Sequence, residues 1–282
     1  LNRGNALQDL KSSTEALAAY DRALALKPDH PEAHYSRGNA LRDLKRHEEA
    51  LAAYDRAFAF NPHHLNAILN RGNALLVLQR PGEALSVYDR ALALKPEFHE
   101  AHYNRGNALR ELKRFEEALA AYDRALALQP VHPDALNNRG HTLRDLKRNE
   151  DAAASFARLL DLSPDYGFAK GHLLHAKMLC CDWNGLAALA ETIESDVLAG
   201  KKSAEPFGYQ AISSSARDLR RCAEIYAAER YPRAPVTLWN GETHRNARIR
   251  IGYVSGEYRY QATAILMTEL FERHDRNRFE LF

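Results

Sequence analysis

Three cysteines occur in 282 residues, Cys180, Cys181 and Cys222. So small and odd a number, without framework spacing, excludes a small disulfide-stapled fold. The adjacent pair Cys180-Cys181 cannot supply a zinc half-site, which needs a spacing such as C-x-x-C. All three are expected as reduced thiols packed in helices. No apolar run approaches the roughly 18 residues of a membrane span, so no membrane partner is expected. A basic segment followed by an apolar one is missing at the N-terminus, so no signal peptide is visible and a cytoplasmic location is the default. Charge of one sign is missing too. Lys and Arg total 39 against 37 acidic residues, a net +2, which gives no electrostatic footprint for nucleic acid.

What the chain has instead is a period of 34 residues. Gly4, Gly38, Gly72, Gly106 and Gly140 stand in register, as do Ala16, Ala50, Ala84, Ala118 and Ala152. An aromatic series, Tyr20, Tyr54, Tyr88, Tyr122 and Phe156, keeps the same phase. So does the proline series Pro28, Pro62, Pro96, Pro130 and Pro164. The small residues let two helices approach closely, and the aromatic fills the gap between neighbouring pairs. Proline, lacking an amide hydrogen and disfavouring helix in the residue before it, stops the second helix. A unit of this size cannot bury its own apolar stripe, and stacking completes the core.

In its spacing of Gly38, Leu41, Ala50, Tyr54, Ala57 and Pro62, the chain resembles the tetratricopeptide repeat family. The resemblance implies a mostly α fold, a right-handed α-solenoid. One departure recurs: Arg3, Arg37, Arg71, Arg105 and Arg139 stand where the family usually has leucine. An arginine can lay its stem on the core and pass its head to solvent or to an acid, so the repeats are expected to stack.

At 100° per residue, His102, Arg105, Gly106 and Leu109 share one side of the helix that starts at His99, and Glu100, Asn104, Asn107 and Glu111 the other. The same free face carries Asn2 and Asn5, Ser36 and Asn39, Asn70 and Asn73, and Asn138 and His141. Asparagine is a mediocre helix former, so its recurrence needs a reason. One is copying of an ancestral repeat onto a wet face. The other is a ladder of amides along a concave groove, each offering a donor and an acceptor to the backbone of a bound protein or peptide. On this second reading Asn39, Asn70, Asn73, Asn104, Asn107 and Asn138 are the candidate peptide-binding residues. His30, His64 and His132 fall at turns and are read as solvated, not as metal ligands. No metal and no cofactor is assigned.

After Pro164 the repeat decays. Tyr166–Trp183 still reads as a first helix, Leu186–Leu198 as an amphipathic helix, Gly200–Pro206 as a polar break and Ser213–Arg230 as a further helix. Pro232 and Pro235 mark a linker. Arg248–Val254 then reads as a strand, Ala262–Leu270 as a helix and Phe279–Phe282 as the start of a second strand: a β-α-β opening of a doubly wound domain. There is no G-x-G-x-x-G fingerprint. The expected organisation is five repeats over 1–166, the first partial, capping and linker helices over 167–235, and over 236–282 the truncated beginning of an α/β domain.

Repeats followed by Cys181-Asp182-Trp183, Pro206-Phe207, Arg250-Ile251-Gly252-Tyr253-Val254-Ser255 and Arg278-Phe279-Glu280 resemble the O-linked N-acetylglucosamine transferases and their Spindly-like relatives. The resemblance implies a Rossmann-like glycosyltransferase domain after the superhelix, a UDP-sugar donor for a longer parent protein and transfer to Ser or Thr hydroxyls. It implies a ladder on Asn70, Asn104 and Asn138, interrupted by Ser36. Where that family places two histidines four apart, this chain has Gln261 and Ile265, with Thr263 between them as in the family. Isoleucine can neither donate nor shuttle a proton, so no catalytic residue carries over, and residues 1–282 alone are expected to be inert. The alternative is a non-catalytic scaffold for protein–protein interaction.

Overall fold

The computed structural model describes residues 1–231, 249–251 and 279–281, and the chain divides into two compact units, Leu1–Tyr231 and Pro232–Phe282. The first unit opens with five helix pairs: α1 Asn2–Asp9 with α2 Ser13–Leu26, α3 Pro31–Asp43 with α4 His47–Phe60, α5 Leu65–Val77 with α6 Pro81–Leu94, α7 His99–Glu111 with α8 Phe115–Leu128, and α9 Pro133–Asp145 with α10 Asn149–Leu162. Each helix packs on the next in chain order, giving an α-solenoid.

The turn inside each pair is set by local chemistry. Lys11, Lys45, Gln79, Lys113 and Lys147 adopt the left-handed conformation, with φ of 58–62°. That reversal lets two amides double back on the helix just ended. For α3, Lys45 N–H donates to the carbonyl of Arg42 and Arg46 N–H to that of Leu41, each at 2.9 Å, which is the Schellman closure. The second helices end one residue before an extended position, Lys27, Asn61, Lys95, Gln129 or Ser163, and the residue after it is the periodic proline. The extended backbone is what a following proline ring requires.

Burial follows the period. Tyr54, Tyr88, Tyr122 and Phe156 are fully buried, as are Ala33, Ala67, Ala101, Ala135 and Ala169 where first helices meet the stack. Each glycine of the series is packed closely by the ring of the aromatic that follows it by 16 residues: a Cβ on Gly106 would lie 2.5 Å from Cε1 of Tyr122. The recurring arginines pass their heads to an acid. Arg37 pairs with Asp21 and Arg105 with Asp89, both at 2.7 Å, Arg139 with Asp123 at 2.6 Å, and Arg71 with Asp55. Each bond joins the first helix of one repeat to the second helix of the repeat before. These half-exposed pairs fix register more than they add stability.

Beyond the repeats, α11 Ala169–Leu179, α12 Leu186–Leu198, α13 Pro206–Tyr209 and α14 Ala216–Arg230 enclose a smaller core of Leu174, Ile193, Val197, Ala204, Tyr209 and Cys222. Here the structure corrects several boundaries. The helix expected from Tyr166 begins at Ala169, because Phe168 sits at φ 65° and Tyr166 lies in the turn before it. The segment Pro206–Tyr209, whose first residue is expected to close a polar break, is a helical turn. The helix expected from Ser213 begins at Ala216, where the Ser215 hydroxyl accepts from Asp218 N–H as an N-cap. Of the cysteines, only Cys222 is buried in a helix; Cys180 ends α11, and Cys181 is exposed in a left-handed turn. Among the described residues no helix is long and apolar enough to cross a membrane.

In the second unit, β1 Ile249–Ile251 and β2 Phe279–Leu281 pair in parallel, with Arg250 opposite Glu280. The expected helix between them, and with it Gln261, Thr263 and Ile265, lies outside the described residues.

Candidate functional site

The first helices of successive repeats touch one another, α5 on α7 and α7 on α9. We call the surface carried by the outward side chains of these touching first helices the inner face. The six candidate asparagines all lie on these helices and all are half-buried.

They fall into two classes that sequence periodicity did not separate. Asn39, Asn73 and Asn107 each accept a hydrogen bond on Oδ1 from the wedge tyrosine of their own repeat. The donors are the hydroxyls of Tyr54 at 2.9 Å, Tyr88 at 2.7 Å and Tyr122 at 2.8 Å; Tyr20 bonds Asn5 in the same way at 2.9 Å. A buried phenol needs a partner, which supplies a packing reason for asparagine at this position. Where Phe156 replaces tyrosine, the hydroxyl is gone and the asparagine position holds His141, which meets the Phe156 ring edge-on at 5.3 Å between centroids. The two substitutions match.

Asn70, Asn104 and Asn138 form the second class. The amide of Asn70 donates to Oδ1 of Asn39 at 2.9 Å and to the Tyr35 hydroxyl at 3.4 Å. Asn138 repeats this on Oδ1 of Asn107 at 2.9 Å and the Tyr103 hydroxyl at 3.3 Å. Asn104 makes no side-chain hydrogen bond among the described residues; the position matching Tyr35 and Tyr103 before it is Leu69. In both linked pairs the shared Oδ1 is filled by two donors. The amide N–H groups of Asn39 and Asn107 and Oδ1 of Asn70 keep hydrogen-bonding capacity along the inner face, while Oδ1 of Asn138 accepts from the Asn137 amide at 3.3 Å.

The turn histidines are not simply solvated. His64 and His132 accept from Ala67 N–H and Ala135 N–H through Nδ1, each at 3.3 Å, and so cap α5 and α9. Among the described residues no group of three or more potential ligands is placed to hold a metal ion.

Two histidines extend the series beyond Asn138, and the decay of the repeat hides them in the sequence. In the 34-residue register, Asn138 continues to His172 and His141 to His175, both on α11. The inner face thus changes from amide to imidazole at its C-terminal end. The His141 and His172 rings meet edge to face at 4.4 Å. Both line a cleft of about 790 Å³ shared with Asn137, Tyr166, Lys201 and Arg230. Burial pushes His141 down to about 4, helped by the positive charges of Arg110, Arg144 and Arg230. Burial also pushes His172 down to about 3, helped by His141 and the same Arg144 and Arg230.

Stability should therefore depend on pH. Both rings are neutral in the folded protein near pH 7, while in the unfolded chain they titrate near the ordinary value of 6.5. The unfolded state takes up protons first as pH falls, so stability drops below about 6.5, and the loss is complete only near the folded-state values. Thermal melting of the parent is expected to shift down between pH 7.5 and pH 5, and His172→Asn to flatten that slope. Parallel pH profiles for the two proteins would rule the imidazole pair out as the cause.

Comparison with known proteins gives the same outline. The tetratricopeptide repeat family model matches residues 1–64, 69–131 and 112–167. No curated protein sequence matches the chain. Among solved structures, YrrB, described as a TPR protein with an unusual peptide-binding site, is 28% identical, with a TM-score of 0.54 over 63% of this chain and 90% of that one. PilW, a type IV pilus biogenesis factor, is 21% identical, with a TM-score of 0.62 over 69% of this chain and 90% of that one. MamA from Desulfovibrio magneticus RS-1 is 24% identical, with a TM-score of 0.55 over 58% of this chain and 92% of that one. The latter two likenesses support the solenoid alone. With the family match spanning more than half of its residues and the helix pairs stacked as that repeat requires, the chain belongs to the tetratricopeptide repeat family.

Proposed function

We propose that this chain is a protein-interaction scaffold that holds an extended segment of a partner protein along the inner face of its superhelix. The observation that carries this reading is the amide series, with unfilled donors on Asn39 and Asn107 and an unfilled acceptor on Asn70. A peptide backbone presents alternating N–H and C=O groups, and amides can satisfy both without reading side chains. Peptide binding by YrrB, a relative above a quarter identical, supports it.

The test is selection from a display library of random twelve-residue peptides, with affinity measurement on the best binders. Replacing Asn70, Asn104 and Asn138 together by alanine should weaken those binders about tenfold or more, since each lost hydrogen bond contributes roughly 0.5–1.5 kcal/mol. Arg56→Ala, at an exposed position on α4, serves as the control. Equal affinity of the triple variant and the control would count against the groove.

A narrower reading makes the superhelix the recognition arm of a protein O-glycosyltransferase. The parallel pairing of Ile249–Ile251 with Phe279–Leu281 favours it, because a parallel pair requires a crossover connection as in a β-α-β unit. The family match and the solved relatives, all repeat proteins, favour the scaffold. To separate the two, residues 1–282 and the longer parent that the transferase reading requires would each be incubated with labelled UDP-sugars and host lysate. On the transferase reading label moves only with the parent; on the scaffold reading it moves with neither.

A further inference from the structure

We propose that the C-terminal end of the inner groove, where His141, His172 and His175 succeed the asparagine series beside Arg110 and Arg144, binds a carboxylate side chain of the peptide held there. The inference rests on the groove reading above and names the chemistry of its ligand.

Along the inner side of the array and at the starts of the second helices most arginines are neutralised in place, whereas Arg3 and the second-helix arginines Arg22, Arg56, Arg90, Arg124 and Arg158 make no ion pair among the described residues. Arg37, Arg71, Arg105 and Arg139 have aspartates, Arg42 has Asp43 at 3.0 Å, and the arginines that open the second helices have glutamate or aspartate three residues on. At the end of the groove this pattern lapses. Arg144 makes no ion pair among the described residues; its Nη2 donates to Nδ1 of His175 at 3.0 Å. The nearest carboxylate to Arg110 is Asp145 at 3.8 Å, too far for a good hydrogen bond. Both guanidiniums line a cleft of about 510 Å³ with His141, His175 and Lys147, against the acids Asp145 and Glu205. His141 also lines the larger cleft next to it, so the two spaces meet at one imidazole.

His172 is the second observation. Its side chain is 6% exposed and makes no hydrogen bond among the described residues, yet it lines the larger cleft. A neutral imidazole there has a ring N–H to donate and no partner for it. A carboxylate is acceptor-only and planar, and it can take a guanidinium fork and a ring N–H together. Three lysines around the larger cleft are not available for this role: Lys170 and Lys201 are held by Asp196, and Lys202 by Glu229.

Groups facing the imidazoles are Arg110 from α7, Arg144 and Asp145 from α9, Lys147 in the turn after it, Asp165 after α10, Lys170 from α11, Asp196 from α12, Lys201, Lys202 and Glu205 between α12 and α13, and Glu229 and Arg230 from α14. Burial, helped by the guanidiniums, holds the rings neutral, and a bound carboxylate would oppose the guanidinium charges. Acidic peptides should therefore bind more tightly as pH falls below about 6 toward the folded-state value of about 4 for His141.

The experiment is the same display selection, read for composition and repeated on the full chain carrying Arg144→Gln and, separately, Arg110→Gln, each checked for an unchanged melting curve. The parent is expected to enrich Asp and Glu, and each variant to lose the enrichment. A selected peptide resynthesised with Glu→Gln should bind the parent about tenfold more weakly, in line with a hydrogen bond to a charged group, and the variants with little change. Selection of peptides without acidic enrichment overturns the carboxylate site and leaves the groove standing. Recovery of no peptide overturns both. A phosphoserine version that binds tenfold more tightly than the glutamate peptide overturns carboxylate in favour of a phosphoryl ligand.

Discussion

Tyr88→Ala is expected to destabilise the first unit by about 3–5 kcal/mol, the range for truncating a buried aromatic to alanine. Tyr88 is fully buried. Its ring lies on the bare Cα of Gly72 on one side, and its hydroxyl is tied to Asn73 at 2.7 Å on the other. Truncation removes the ring from the interior of the α5–α6 pair, leaves a cavity that two helices cannot close, and orphans the Asn73 acceptor. Because an array is held by interfaces between neighbours, a weak central repeat should also uncouple the repeats on either side. Urea unfolding monitored by helical circular dichroism is therefore expected to show a lower midpoint and a shallower slope. A curve superimposable on the parent's would mean that the core has been misplaced.

A single methyl group should do nearly as much damage at Gly106. Alanine is the better helix former by about 1 kcal/mol, so propensity alone predicts a gain. The geometry predicts a loss, since the new Cβ would lie 2.5 Å from the Tyr122 ring, closer than the 3.0 Å below which real Cβ contacts essentially never fall. Tyr122 is fully buried and cannot swing aside. Overpacking of this kind typically costs about 1–3 kcal/mol, and it outweighs the propensity term. Gly82→Ala is the internal control. It sits in the first turn of α6, a Cβ there meets nothing within 4 Å, and it should leave stability unchanged or raise it by up to about 1 kcal/mol. If both substitutions stabilise, close approach of ring to backbone is not why the glycine recurs.

The repeats were legible because one constraint acts at every copy. A helix pair that must stack on its own kind needs the same small residue, the same aromatic and the same stop at the same spacing, so the pattern in residues is the pattern in space. The left-handed position at the pair's turn was less legible, because Lys45, Gln79 and Lys113 carry no glycine signal there. The boundary at Phe168 was hidden for the same reason: a bulky residue at positive φ gives no sign of itself in a string of letters. The transferase-like reading of the C-terminal segment rests on the motifs between Cys181 and Glu280 and on the parallel strand pair, while Gln261 and Ile265 depart from the family's histidines.

The asparagines mark the limit of periodicity most clearly. Recurrence on one face could not separate a packing role from a binding one, because both repeat every 34 residues. What separates them is the partner of each amide: a tyrosine hydroxyl from the same repeat for Asn39, Asn73 and Asn107, a neighbouring repeat's amide for Asn70 and Asn138. The sequence alone determined that the chain stacks helix pairs, because hydrophobic burial depends on residue type and spacing. Tertiary structure decided which polar atoms stay unfilled and where the charge goes uncompensated, as at Arg144. Hydrogen bonds and ion pairs depend on distance and direction between residues far apart in the chain, and the order of the letters carries neither.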